Sequence, residues 1–578
     1  MKLLDSRRVT GPGLLLDGPG AVLDVALDGP ADNRAIDAWR DAATRMLSAV
    51  GLRDARLETR HFHGGATLGF TAPPDILYTA TDLNEWAWAS AEAITAGGEP
   101  PPLEPAAARL RAALEAERNP ALVAMREAAH RHGVNFLAGE EAVSVGSGTG
   151  VRVWPELGTP EPSQVSWPEV HDIPIALVTG SNGKTSVVRL LAAMATEAGR
   201  VTGTTTTDGV AVAGRFLEES DFSGPSGARM LLRRAEVETA ILETARGGLL
   251  RRGLAVEHAR AAVVTNIAAD HLGEFGVQTL DQLAETKLLV TRAVDPGGRV
   301  VLNAEDPILA RWADRVKAEI VWFSLDPSAP LLLPHLERGG AAAVLDEGWV
   351  VLIERGARTV LASADSMPFA LGGAARHNVA NALAAVAAAG ALGIEHGAMR
   401  RALERFGRSP EDNPGRANQI ELGGVHLFLD YFHNPHGIAA LSAALERYPS
   451  RRRLVLLGQA GDRDDAAIRE LARAALALRP DRVVLKEMDA YLRGRAPGEI
   501  PGLMTAALVE AGYPPEAIVT APGEVDAVRA ALGWAEAGDL LVLGVHQDRR
   551  AVMALLDTLR ASGWRAGRSL PSQVALVQ

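Results

Sequence analysis

Between residues 173 and 198 the chain passes from an apolar run (173–179) through Gly180, Ser181, Asn182 and Gly183 to Lys184, Thr185 and Ser186, then into a helical pattern (187–198). That order constrains the fold more than any other stretch, because a strand feeding a helix through a glycine turn is the building unit of a parallel α/β sheet. Gly180 and Gly183 let the backbone curl so that successive N–H groups face one concavity. Lys184 adds a positive point charge and the helix start a partial one, so a phosphate suits the turn. The Thr185 hydroxyl then stands where it would ligate magnesium. The spacing is compressed, with Gly180 three residues before Gly183, where the usual phosphate loop has five. An ordinary strand–turn–helix connection accounts for the glycines but not for Lys184 and Thr185.

From about 173 onward, short β-branched or Leu-rich runs at 173–179, 240–243, 261–265, 299–302 and 319–324 alternate with Ala-rich helical stretches, which predicts βαβ units around a mostly parallel sheet. The Ala-dense run 378–390 reads as a buried helix stopped by Gly390. Turn residues collect at 408–414, and a second alternation follows at 425–429, 453–457, 482–486, 517–520 and 540–543. The expected division of the 578 residues is a small α+β domain (1–100), a helical connector (101–165), a central parallel-sheet domain (166–412) and a C-terminal Rossmann-like α/β domain (413–578). Gly146, Gly148 and Gly150 lack a following helix and read as a hairpin turn, not a dinucleotide loop. Trp86 and Trp88, on a helical stretch, read as core packing.

Apolar residues at 47% and charged residues at 22% exclude disorder, collagen and coiled coil as descriptions of the whole chain. A net charge of -12 argues against a nucleic-acid partner. No apolar window is long enough to span a membrane, and Asp5 interrupts any signal core, so a cytoplasmic protein without a membrane partner is expected. Zero cysteines remove disulfides, thiolate metal sites and cysteine nucleophiles. Any metal here is held by oxygen or imidazole.

Two further stations stand at strand ends: Glu243 closes the run 240–243, and His271 follows the run 261–265. Ligand crevices of open α/β sheets lie at the carboxyl ends of strands, so both side chains are candidates to face the phosphates. With the compressed loop, they resemble the ATP-binding centre of the Mur ligase family. The resemblance implies ATP and Mg2+ as cofactors, with Lys184, Glu243, His271, Lys287 and Arg416 as catalytic residues. It implies a nucleotide contact surface of Gly180, Ser181, Asn182, Gly183, Lys184, Thr185, Ser186, Asn378, Arg416 and Asp430. Metal ligands would be Thr185, Glu243, His271 and, if carbamylated, Lys287. Carbamylation needs a neutral amine, so it would require a depressed lysine pKa; the other reading of Lys287 is a solvated helix lysine. Asn378 would read the base edge, or serve as a helix N-cap. The family usually has alanine where Phe432 stands.

Within that family the longer matches, at 205–209, 223–230, 245–248, 461–465, 484–487 and 492–495, resemble the Mur-like part of the cyanophycin synthetases, which build an aspartate polymer bearing arginine. The N-terminal part (1–100) resembles the small N-terminal domain of those enzymes, and 131–137 and 143–150 resemble the opening strands of their ATP-grasp domain, which makes 101–165 a helical connector with an ATP-grasp remnant; the rest of that domain is missing before residue 167. The function implied is an ATP-dependent, ADP-forming ligase working through an acyl phosphate. It would join an amino acid to a carboxylate of an aspartate-containing or other small acid or peptide. Candidate substrate contacts are Thr206, Ser223, Arg229, Arg246, His433, Asp462, Arg463 and Asp465. The alternatives are a folate or cell-wall peptide ligase, or a non-catalytic ATP-binding partner of a separate ATP-grasp enzyme. A homo-oligomer and such a partner are both compatible with the sequence, and the N-terminal domain would hold the acceptor or the partner.

Overall fold

The computed structural model describes residues 1–27, 29, 32–270 and 272–571. It begins with β1 (Lys2–Val9), β2 (Gly20–Ala26), α1 (Asp32–Ala49), β3 (Leu57–Phe62), β4 (Gly65–Thr71) and α2 (Leu77–Thr95). The strands form an antiparallel sheet in the order β1-β2-β4-β3. Then come α3 (Leu103–Glu117), α4 (Pro120–His132) and a small antiparallel sheet of β5 (Phe136–Ala138), β6 (Ala142–Val145) and β7 (Arg152–Pro155). The glycines at 146, 148 and 150 lie in the connection between the paired strands β6 and β7. The first core does not stop near residue 100: Ala107, Leu110 and Leu114 of α3 pack with Phe70, Leu77 and Leu83. The Gly-Pro-rich stretch at 97–102 therefore joins two helices of one packed unit. Trp88 is buried, 1% exposed, against Trp39.

The central sheet is built from β8 (Ile175–Thr179), α5 (Lys184–Glu197), β9 (Thr202–Thr206), β10 (Gly209–Val212), β11 (Arg215–Glu218), α6 (Pro225–Leu232), β12 (Thr239–Glu243), α7 (Arg246–Arg252), β13 (Ala259–Val264), α8 (Leu280–Lys287), β14 (Val294–Asn303), α9 (Pro307–Trp312), β15 (Glu319–Ser324), α10 (Leu332–Glu337), β16 (Ala341–Asp346), β17 (Trp349–Glu354), β18 (Ala357–Ser363), α11 (Arg376–Ala391) and α12 (His396–Arg405). Its eleven strands run in the order β11-β10-β9-β12-β8-β13-β14-β15-β16-β17-β18. Pairing is parallel from β9 to β16, and an antiparallel hairpin closes each edge. Every residue of β8 is buried, because helices cover both faces. Ala176 and Val178 enter the core under α5, α11 and α12, while Ile175 and Leu177 enter the opposite core with α6, α7 and α8. This is the period of two expected of a strand.

The expected helix at 378–390 runs from Arg376 to Ala391, so Gly390 is inside it. The stop is Gly393, at φ +66, whose N–H donates to Gly390 O while Ile394 N–H donates to Ala389 O, a pattern that satisfies the last carbonyls of a helix. Strands β9–β11 and β16–β18 were not anticipated. Runs such as Ala341-Ala342-Ala343 carry little strand propensity, and their position in the sheet decides them.

The last unit contains β19 (Asn418–Leu422), β20 (Val425–Asp430), α13 (Pro435–Leu445), β21 (Arg453–Leu457), α14 (Asp465–Ala474), β22 (Arg482–Lys486), α15 (Glu499–Glu510), β23 (Ile518–Ala521), α16 (Glu524–Trp534), β24 (Leu540–Gly544) and α17 (Arg549–Ala561). Its sheet order is β19-β20-β24-β21-β22-β23, parallel except for β19. A fully buried Lys486–Glu524 ion pair lies at the carboxyl ends of β22 and β24. Glu524 also accepts the N–H groups of His546 (2.8 Å) and Asp548 (2.9 Å), which ties the loop after β24 to α16. Among the described residues no helix is long and apolar enough to cross a membrane.

Leu190 in α5 is fully buried, whereas Leu157 is 95% exposed. Leu190→Ala should lower stability by about 2–5 kcal/mol through lost burial and the cavity left behind. Leu157→Ala should stay within about 0.5 kcal/mol of wild type. Urea denaturation checks both.

Candidate functional site

The strand order reverses at β8, which lies between β12 and β13. Glu243 pairs in register with Val178, and Val264 with Thr179. The loop 180–183 thus emerges between the ends of two neighbouring strands, at the kind of switch point where α/β sheets bind ligands. It opens onto a cavity of about 880 Å3 between the central sheet and the last unit.

The loop is braced on every side. Ser181 N–H donates to Asn266 O (3.0 Å) and its hydroxyl to Ala268 O (2.8 Å). Asn182 N–H donates to Asn266 Oδ1 (3.0 Å), and Thr265 Oγ1 donates to Asn182 O (2.6 Å). The last unit reaches the same loop, with Asn434 Nδ2 donating to Asn182 Oδ1 (3.0 Å). Gly180 is at φ +145, and a Cβ there would lie 1.8 Å from Thr265 Oγ1. Gly183 is at φ +85, with an added Cβ 2.2 Å from Asn381 Oδ1. Both positions demand glycine for conformation and for space. Helix α5 starts at Lys184, directly after Gly183, so the first N–H groups of the helix face the loop's open side.

Lys184 Nζ donates to Gly180 O (3.1 Å) and Ser181 O (3.3 Å). Thr185 donates to Glu243 Oε2 (2.7 Å), while the buried Glu243 Oε1 has no hydrogen-bond partner among the described residues. A buried carboxylate oxygen left without a donor, beside a hydroxyl, suits a hard cation. Burial pushes the Glu243 carboxyl up from its ordinary value, against the opposing pull of Lys184 and Arg416. Lys287 is buried and donates to Gly180 O (2.9 Å). It is not a solvated helix lysine. Burial, followed by the charge of Lys184, lowers its pKa to about 7, so the neutral amine is accessible at ordinary pH. His271 lies outside the described residues, and no cluster of three or more His, Asp or Glu that could hold a metal occurs among the rest.

From the last unit, Arg416 donates through NH2 to Thr207 Oγ1 (3.2 Å) and stacks on Tyr431 at 4.7 Å; its Nε is buried with no partner among the described residues. Asp430 accepts Ala417 N–H (2.8 Å) and is pushed up to about 6 by burial. Asn378 lines the cavity but is not a helix cap: α11 begins two residues earlier, with Ala375 as N-cap. Its amide donates to Phe369 O (2.8 Å) and accepts from Asn381 Nδ2 (3.1 Å). Ser186 accepts from Asn413 Nδ2 (3.1 Å), joining α5 to the linker that precedes β19. Phe432 is 3% exposed; its backbone carbonyl accepts from His546 Nε2 (3.1 Å), and its ring abuts Gly544.

Five of the eight expected substrate contacts, Ser223, Arg246, His433, Asp462 and Arg463, line the cavity. Three do not. Thr206 is buried with its hydroxyl turned to the β9–β10 turn, accepting Asp208 N–H (3.1 Å), and Thr207, the first residue of that turn, lines the cavity in its place. Arg229 sits beside Gly139, with Arg252, Glu140 and Arg8 as charged neighbours. Asp465 starts α14 and pairs with Arg495 at 2.8 Å.

Other residues escaped the sequence reading. Asp270 lines the cavity, meets Arg463 at 3.3 Å and stands 3.7 Å from His433 Nε2; it sits immediately before His271, and nothing in its local pattern separates it from a turn aspartate. Asp208 is held by Arg189 and Arg549, both at 2.7 Å. Burial would raise its pKa, but Arg416, Arg549 and Arg189 outweigh that and hold it at about 2. This ion cluster joins the central sheet to the last unit across 341 residues of sequence, a separation that local motifs cannot signal. His377 also lines the cavity and is pushed down to about 4 by burial.

Residues 178–389 match the Mur ligase middle domain, and residues 415–544 match the Mur ligase glutamate ligase domain. The chain is 39% identical over 380 residues to a cyanophycin synthetase of Synechocystis sp., a match covering 66% of this chain and 43% of that one. It thus spans less than half the length of the cyanophycin synthetases it matches. It is 29% identical to a UDP-N-acetylmuramoylalanine--D-glutamate ligase of Pelotomaculum thermopropionicum, covering 64% of this chain and 69% of that one. The structure of E. coli FolC in complex with DHPP and ADP shares the fold, with a TM-score of 0.51, 20% identity, and coverage of 67% of this chain and 89% of that one. With both family domains matched in order and the loop, strand ends and second α/β unit arranged around one cavity, this chain belongs to the Mur ligase family.

Proposed function

We propose that this protein is an ATP-dependent, ADP-forming ligase that makes an amide between a carboxylate and an amine. The observation that carries the reading is the buried Glu243 Oε1, which has no hydrogen-bond partner among the described residues and stands beside Thr185, next to Lys184. Residues 166–412 act as the nucleotide-binding domain, and 413–578 as the unit that covers it.

In this reading a carboxylate oxygen of the acid attacks the γ-phosphorus of ATP, the bond to the ADP oxygen breaks, and an acyl phosphate forms. The amine nitrogen then attacks the acyl carbon, phosphate leaves, and the amine releases a proton. Thr185, Glu243 and His271 would hold magnesium, which supplies positive charge to the phosphoryl oxygens. Lys184, on the loop, and Arg416, with its buried Nε, neutralise the same oxygens from opposite units. Fixed charges of this kind carry the largest share of catalysis in phosphoryl transfer. Asn378 holds the adenine side of the cavity and Asp430 the ribose side. The last unit, latched through Asp208 and Arg549, keeps water from the acyl phosphate. Arg246 and Arg463 bind the acid, Asp462 receives a basic amine, and the Lys287 amine is carbamylated. The similarity to the cyanophycin synthetases makes an aspartate-containing peptide the first acid to try and arginine the first amine. Folates and cell-wall peptides complete the panel.

Lys184→Ala and Glu243→Ala should each lower ADP release at least about 100-fold while leaving the circular dichroism spectrum unchanged. Wild-type turnover in either variant defeats the nucleotide-site assignment. Lys287→Ala should be inactive and partly restored by acetate or another short carboxylic acid; no restoration points to an unmodified lysine. A single amide-forming centre also predicts that aspartate, arginine, magnesium and ATP without an acceptor yield no polymer. Mass spectrometry of that mixture decides, and a ladder of aspartyl-arginine units overturns the prediction.

A further inference from the structure

Among the described residues, everything that lines the cavity comes from position 181 onward; the sheet β1–β4 with its helices contributes nothing. Yet that unit touches three of the elements that build the cavity wall. Thr10 N–H donates to Arg252 O (2.9 Å), and Arg7 Nε to Leu250 O (3.0 Å), gripping the end of α7, which carries Arg246. Arg60 pairs at 3.1 Å with Glu285 on α8, two residues before Lys287. Between them, the loop 272–279 carries Glu274, which ion-pairs with Arg246 and lines the cavity.

That loop is held from outside. Gln278 makes two hydrogen bonds to the backbone of His63, accepting its N–H at 2.9 Å and donating to its carbonyl at 2.8 Å. Gly276 lies so close under Phe62 that a Cβ would meet the ring at 2.4 Å. Phe275 is in the left-handed region, at φ 52, a conformation that a bulky side chain keeps only when its surroundings impose it. Its ring lies between two guanidinium groups, Arg7 of β1 at 5.1 Å and the cavity-lining Arg251 of α7 at 5.6 Å. Arg7 is itself fixed by Asp5 (2.6 Å) and by the buried Asp24 (2.5 Å). The strained residue thus stands where the N-terminal sheet meets the wall of the site.

We propose that the N-terminal unit acts as a buttress, its Arg7, Phe62 and the backbone of His63 clamping Phe275, Gly276 and Gln278 so that Glu274 and Arg246 are held in place for the acid. Phe275 and Gln278 are positioning residues, acting through the cavity wall they support. The consequence for catalysis rests on the ligase reading above; the clamp itself does not. The tests are Phe275→Leu, which removes the ring face, Gln278→Ala, which removes only the two bonds to His63, and Phe275→Tyr, which keeps the ring. Hydrogen exchange is followed on the full chain, and ADP release is measured with magnesium-ATP, arginine and an end-capped tri-aspartyl peptide. Expected are exchange over 272–287 at least tenfold faster in Phe275→Leu and Gln278→Ala, with β8 and β12 unchanged. The peptide KM should rise at least tenfold, with the ATP KM within twofold and Phe275→Tyr like wild type. Unchanged exchange over 272–287 in Gln278→Ala overturns the proposal, even if Phe275→Leu fails to fold. Faster exchange with wild-type peptide KM refutes the positioning role. If the wild-type protein releases no ADP with any acid and amine, the ligase reading fails, and exchange alone decides the clamp.

Discussion

Everything about the site depends on the close approach between the loop after β8 and the strand ends on either side of it. Gly180 and Gly183 have no room for a side chain, because Thr265 and Asn381 occupy the space. The loop is consequently pressed against the segment that follows β13 and against α11. That pressure places Lys184 and Lys287 on the same carbonyl, Gly180 O. Two lysines sharing one acceptor, one of them buried, explain why the Lys287 amine loses its proton so readily: burial disfavours its charge and Lys184 repels it.

The second dependence is electrostatic and joins units far apart in sequence. Asp208, from the turn after β9, gathers Arg189 of α5 and Arg549 of α17, and it neighbours Arg416. Of these four residues only Arg416 lines the cavity, beside the carboxylates Glu243 and Asp430, so the ion cluster stands behind the cavity wall and fastens the last unit onto the central sheet.

The N-terminal sheet is joined to the wall by a different kind of contact. Its bonds to 250–254 and 278 are mostly to backbone, which fixes the path of the chain and leaves the cavity-lining side chains free to differ. A strained Phe275 between two arginines is the clearest sign that the path is imposed from outside.

The strand–loop–helix at 175–197, the parallel alternation, and the strand-end position of Glu243 were legible in the residues themselves, because short continuous apolar runs and glycine-lysine turns are local properties. Ser223, Arg246 and Arg463 were also legible as candidates and do line the cavity. What local pattern could not supply was side-chain direction and distant partners. Thr206, the last residue of β9, is turned away, and Thr207, in the turn that follows, lines the cavity. Arg495 claims Asp465, and Arg229 faces Gly139 and Glu140. Gly390 passes inside a helix that only Gly393 ends. Asp208 and Asp270 acquire their roles from arginines brought by a separate sheet. Composition and periodicity determine the apolar strands and the helices that alternate with them, since those depend on nearest neighbours, whereas strands such as Ala341–Asp346 owe their state to their place in the sheet. Charge pairing, cavity lining and imposed backbone strain arise only where distant segments meet, so the tertiary structure alone decided them.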